Sequence, residues 1–157
     1  VSIELNSISD LKRLCQKILD VCIETLHAEA GSLMLLDKKK QMLTLYASRG
    51  LSEAASRFAN QRLGERIAGR VALEGEPLLL IDGLHNDTRF SHLKERSEIK
   101  SALSVPLKSH GQVLGVLNLN RLNNLTNYTK EDLELLSTIG NQMAMAIENV
   151  ILQGKVL

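Results

Sequence analysis

The chain has 157 residues, 44% of them apolar, which is enough to enclose one hydrophobic core without disulfides or metals. Nineteen Lys and Arg against eighteen Asp and Glu leave a net charge of +1, and aromatic residues make up only 3%. The basic field and stacking platforms of nucleic-acid readers are therefore missing.

The opening VSIELNSISD has no basic region followed by an apolar core, and no apolar run approaches about 18 residues. A cytoplasmic protein with no membrane contact through this segment is expected. From Ser9 to His27, Leu11, Leu14, Cys15, Ile18, Leu19, Cys22, Ile23 and Leu26 recur at the helical period, and Asp10 favours the positive end of that helix. Cys15 and Cys22 are then separated by roughly 10 Å of helical rise, too far for a mutual disulfide.

AGSLMLLD and QMLTLYAS flank Lys38, Lys39 and Lys40, which reads as a β-hairpin with a charged turn. Its second strand alternates Leu43, Leu45 and Ala47 against Thr44 and Tyr46. Residues 51 to 75 mix Gly64, Gly69 and Gly75 with short helical segments such as ERIAGRVALE. LLLI at 78 to 81 predicts a short buried strand, and SALSVPL and QVLGVLNLN predict a second hairpin around Ser109, His110 and Gly111. Thr129 and Asp132 form an acidic variant of the capping box and open a long final helix. No internal repeat or low-complexity segment is present. Hairpins supply most strands, so the fold class is α+β with an antiparallel sheet. The terminal helices cover one face of it, and the middle segment with the loop at 82 to 98 covers the other, where a small-molecule pocket can open.

The loop IDGLHNDTRF concentrates the polar chemistry. Asp82 and Asp87 suit caps or turns, Arg89 suits a pair with one of them, and Phe90 suits an anchor dropped into the core. A loop pinned in that way can still expose His85 and backbone amides to a ligand. His85 and His92 with Asp82 and Asp87 also form a donor set for a first-row divalent ion, although no cysteine accompanies them. In GERIAGRV the glycines at 64 and 69 have phosphate-loop spacing, but Arg70 and Val71 replace the Lys and Ser/Thr that touch phosphate and magnesium; turn formation and helix packing account for the glycines. No Gly-x-Ser-x-Gly elbow is present for nucleophilic catalysis.

Taken in order, AGSLMLLD, LGERIAGRVALEGEPLLLID, Asp82 to Asp87 with Arg89 and Phe90, SALSVPL, GQVLGVLNLNR and YTKEDLELLSTIGNQMAMAIENV resemble a GAF domain, a small-molecule-sensing module of bacterial signalling proteins. The resemblance covers nearly the whole chain. It implies a six-stranded antiparallel sheet with a pocket over one face and dimerisation through terminal helices, but no single ligand. The expected ligand contacts are Asp82, His85, Asp87, Arg89 and Phe90 from the loop, with Ala102 and Asn118 from the second hairpin. No catalytic or metal residue is assigned, and the cofactor is unknown.

The expected function is non-enzymatic ligand sensing and homodimerisation by residues 1–157, one module cut from a longer protein and regulating an attached output domain. The repeats Leu136, Met143, Val150 and Ile8, Cys15, Cys22 suit a helix seam between protomers. One alternative is a ligand-free dimerisation scaffold whose pocket is filled by Leu79, Ile81, Phe90, Leu103 and Leu117. Another is cyclic-nucleotide binding, where the family's Asn-Lys, Phe and Asp-Glu correspond to Asn120-Arg121, Tyr128 and Asp132-Leu133 here. One branch of the family reduces free methionine sulfoxide with cysteines beside the pocket, and bilin-carrying modules need a cysteine there. Both cysteines of this chain lie on the first helix instead.

Overall fold

A strand buried on both faces needs a cover on each, and two helices cannot supply both for a wide sheet. The computed structural model describes residues 3–51, 60–83, 87–90, 99–122 and 126–154, with side chains from Ile8 onward. In chain order the elements are α1 (Ile3–Leu26), β1 (Ala30–Asp37), β2 (Met42–Arg49), β3 (Asn60–Arg62), α2 (Arg66–Glu74), β4 (Leu78–Leu80), β5 (Ile99–Ser109), β6 (Gln112–Leu122) and α3 (Lys130–Gly154). The strands form one antiparallel sheet in the order β3-β2-β1-β6-β5-β4. The expected α+β architecture is present. β3 is an addition to it, since three residues reading Asn-Gln-Arg carry no strand periodicity.

One face of the sheet holds the main core. Leu33, Leu35, Leu103, Val105, Leu107, Leu117 and Leu119 pack against Leu11, Cys15, Ile18 and Leu19 of α1 and Leu136, Ala144 and Ile147 of α3. The alternate residues of the same strands point the other way. Met34, Leu43 and Val116 are covered by Ala68, Val71 and Ala72 of α2, and Leu80, Ile99 and Ala102 are covered by Phe90. Each fully buried aliphatic side chain contributes about 1.5–3 kcal/mol relative to exposure.

Three expectations change in this frame. The simple alternation along β2 fails because Leu33 pairs with Ala47 while Met34 pairs with Leu45. Tyr46 is the extra residue of a β-bulge, so Ala47 joins the helix-side core while Leu43 and Leu45 stay on the opposite side. The strand expected over 78 to 81 stops at Leu80, and Ile81 is 49% exposed. The proposed seam between protomers is also displaced: Cys15, Cys22 and Leu136 are each 0% exposed within the subunit, and Met143 and Val150 pack partly against the same core. The seven-residue recurrence marks the stripes that face the sheet, because a sheet-facing stripe and a coiled-coil seam place apolar residues at overlapping positions. Among the described residues, the large apolar side chains that α1 and α3 expose are Ile8, Val21, Leu135, Met145 and Leu152.

The helix ends are held by side chains. Thr129 N donates to Asp132 Oδ2 (2.8 Å) and Asp132 N donates to Thr129 Oγ1 (3.2 Å), completing the capping box of α3. At the C-terminus of α1 the Arg121 guanidinium donates to the carbonyls of Leu26 (3.1 Å) and His27 (3.2 Å), satisfying acceptors that the helix leaves open.

α2 is seated against β3 by a close backbone approach. Gly64 N donates to the carbonyl of Gly69 (2.8 Å), and a Cβ on Gly69 would strike the carbonyl oxygen of Arg62. The glycines thus serve packing. Gly69→Ala is expected to lower the unfolding free energy by about 1–3 kcal/mol in urea titration, the cost of overpacking a site with no room to yield.

Candidate functional site

The face opposite the terminal helices is apolar at both ends and polar across its middle. Registers Ser32↔Asn118 and Ser104↔Asn118 put three polar residues side by side on β1, β6 and β5. Ser104 Oγ donates to Asn118 Oδ1 (2.6 Å), and Asn118 Nδ2 donates to Ser32 Oγ (3.1 Å). Ser32 and Ser104 are 9% and 2% exposed, while Asn118 is half-buried and reaches the surface of this floor. Along β1 and β6 the row is followed on one side by Met34 and Val116, under α2. On β5 the next residue of this face is Ala102, under Phe90. The row therefore lies between the two covers.

The Phe90 cover is locked by its own neighbours. Arg89 donates from Nε to Asp87 Oδ1 (2.9 Å), from Nη2 to Asp87 Oδ2 (2.6 Å) and from its backbone N to Oδ1 (3.0 Å). Phe90 N donates to the carbonyl of Asp87 (3.0 Å). A two-pronged guanidinium–carboxylate contact fixes orientation as well as charge. The hydrogen bond from Arg89 holds the Asp87 carboxyl below the usual carboxylate range. The Phe90 ring, 2% exposed, carries the Arg89 guanidinium 5.3 Å and the Arg70 guanidinium 6.0 Å from its centroid. Arg70 is paired in turn with Glu74 at 3.1 Å.

The expected ligand contacts separate into three groups. Phe90 and Ala102 meet in one apolar cluster, with the Asp87–Arg89 clamp beside Phe90, and Asn118 lies in the polar row. Asp82 belongs elsewhere: it is held at the sheet edge by Asn127 and Lys100, which keep its carboxyl below the usual range. His85 lies outside the described residues, as does His92, and the metal set built on them lies there too. Among the described residues no three His, Cys, Asp or Glu side chains converge. Ser32 and Ser104 were not among the expected residues. Their signal is a polar residue inside an otherwise apolar strand, as in AGSLMLLD and SALSVPL.

Several alternatives lose their physical carriers. Leu79, Leu103 and Leu117 pack on the helix side of the sheet, so of the five residues named to fill the pocket only Phe90 is packed on the roofed face. Arg121 braces the end of α1, with its guanidinium 4.1 Å from the ring centroid of Tyr128, and Asp132 caps α3. Arg121, Tyr128 and Asp132 of the set matched to a cyclic-nucleotide motif are thus engaged at the helix ends. Cys15 and Cys22 are buried in the main core, where desolvation pushes their thiols up to about 12 and about 11, so neither is a ready thiolate. No described helix is long and apolar enough to cross a membrane.

Because Phe90 fills the cluster over Leu80, Ile99 and Ala102, Phe90→Ala is expected to cost about 3–5 kcal/mol in equilibrium unfolding. A loss under about 1 kcal/mol is what a ring at the surface gives.

Comparisons with known proteins agree with this geometry. A family profile described as GAF domain matches residues 9–148. The Nif-specific regulatory proteins of Azospirillum lipoferum and Azospirillum brasilense are each 26% identical over 153 residues, covering 94% of this chain and 24% of theirs. This chain thus spans about a quarter of those relatives. The GAF domain of a phosphoenolpyruvate-protein phosphotransferase from Coxiella burnetii superposes with a TM-score of 0.78 at 21% identity, over 98% of this chain and 95% of that one. A type II free methionine-R-sulfoxide reductase from Thermoplasma acidophilum superposes with a TM-score of 0.70 at 17% identity, over 95% and 96%. At these identities the superpositions speak to fold alone. The profile match, spanning all six strands, α2 and most of both terminal helices, makes this chain a member of the GAF domain family.

Proposed function

We propose that residues 1–157 are one sensory module of a longer cytoplasmic protein, binding a small molecule over the Ser32–Asn118–Ser104 row and regulating an attached output domain. The observation that carries this reading is the hydrogen-bond inventory of the row. Ser104 spends its proton on Asn118, and Asn118 spends one amide hydrogen on Ser32. Among the described residues, one amide hydrogen of Asn118 and the hydroxyl proton of Ser32 remain for an acceptor. Donors left unmatched on a floor this buried are costly, whereas a ligand carrying a carbonyl or other acceptor satisfies them. Asp87, Arg89 and His85 would contribute polar contacts from the loop, with Phe90 and Ala102 as apolar wall.

Regulation without chemistry is the reading favoured by the buried, protonated thiols and by the kinship with Nif-specific regulatory proteins, of which this chain covers 24%. Although the fold is shared with a reductase, the cysteines here lie across the sheet from the polar row. The output domain would respond through helix position, which requires the ligand to bind two helix arrangements with different affinity.

The test is a thermal unfolding screen with purines, cyclic nucleotides, amino acids, 2-oxo acids and divalent metals. A true ligand at about 100 times its Kd adds roughly 2.7 kcal/mol of stability. Asn118→Ala is expected to fold yet weaken that ligand about tenfold or more, which corresponds to losing hydrogen bonds worth about 1.4 kcal/mol. A screen without any stabilising compound, or a ligand indifferent to Asn118, overturns the assignment.

A homodimer through the terminal helices is part of the same proposal, now resting on the exposed Val21, Leu135, Met145 and Leu152. Met145→Glu should shift the chain to monomers in size-exclusion chromatography at micromolar concentration. A dimer that survives this change places the interface elsewhere.

A further inference from the structure

The start of β5 carries an irregularity that the site itself does not use. Ile99 pairs with Leu122 and Ser101 with Arg121, so Lys100 is an extra residue with no partner position on β6. A β-bulge of this kind turns the following side chains over to the other face. Ile99 is 2% exposed and packs with Phe90, Leu80 and Ala102 on the roofed side. Two residues later Ser101, 0% exposed, points to the helix side and accepts the backbone N–H of Tyr128 (3.0 Å).

The bulged residue makes two contacts of its own. The carbonyl of Lys100 accepts from Gly83 N (2.8 Å), and Lys100 Nζ donates to Asp82 Oδ1 (3.3 Å). Asp82 is bound in both directions to Asn127: its backbone N donates to Asn127 Oδ1 (3.1 Å), and Asn127 Nδ2 donates to Asp82 Oδ1 (2.8 Å). Asn127 and Tyr128 directly precede Thr129, the capping residue of α3. Both are therefore tied to one short piece of β5 whose other side lies under Phe90.

We propose that the bulge at Lys100 makes the start of β5 a joint, through which a rearrangement under Phe90 is carried to the first turn of α3 by the Ser101–Tyr128 and Asp82–Asn127 contacts. A regular strand would place Ile99 and Ser101 on the same face and leave the two sides of the sheet joined only through packing. With the bulge, a shift of Ile99 moves the acceptor for Tyr128 and the carbonyl that holds Gly83 in the same step. The coupling belongs to the chain itself and holds whether or not a small molecule binds over Asn118.

Amide hydrogen exchange by NMR on the chain tests this without a ligand. Phe90→Leu trims the cluster against Ile99 while keeping it apolar. It is expected to speed exchange at the amides of Asp132 and Leu133 about threefold or more, with the β1–β2 amides unchanged. In an Asp82→Ala or Ser101→Ala background the same step should change those amides by less than about 1.5-fold. Asp82→Asn, which retains an acceptor oxygen for Asn127, should restore the transfer. Should Ser101→Ala fail to fold, the exposed Asp82→Ala decides alone. No acceleration in the unmodified background, equal acceleration in every background, or acceleration spread evenly over the sheet each overturns the joint.

Discussion

The structure depends on burial of both faces of its central strands. β1, β6 and β5 carry leucine and valine at alternating positions toward α1 and α3, which is ordinary for an antiparallel sheet with one covered side. The residues between them are also buried, so a second cover is obligatory, and among the described residues α2 and Phe90 supply it. Between the footprints of those two covers the floor is polar in register across three strands, at Ser32, Asn118 and Ser104. The candidate site thus follows from how this sheet is roofed.

The same two-sided demand gives the irregularities their meaning. A strand with perfect alternation commits each residue to one face for its whole length. The bulges at Tyr46 and Lys100 break that commitment at two corners of the sheet. At the first, Tyr46 and Ala47 both turn toward the helix-side core. At the second, a residue under the roof and a residue under α3 become near neighbours in sequence.

Much of this was legible in the amino-acid order. Helical recurrence from Leu11 to Leu26, the hairpins around the lysine turn and around Gly111, and the Thr129–Asp132 box each depend on residues close in sequence, where period and capping chemistry operate. So did the Arg89–Asp87 pair and the burial of Phe90. The Ser32–Asn118–Ser104 row was not legible, because Ser32 and Asn118 are 86 residues apart and only strand register aligns them. Bulges escape for a related reason: one extra residue leaves composition and local period nearly untouched. The heptad spacing of Cys15, Cys22 and Leu136 misled, since the side chains that press on the sheet repeat at almost the interval of a helix pair.

The sheet's margins carry one more implication. Among the described residues both outer strands, β3 and β4, are only three residues long. Such stubs expose few unpaired peptide groups, which denies a neighbouring chain the long template that ribbon-to-ribbon stacking requires. Growth of the sheet sideways into fibrils is discouraged at these described margins.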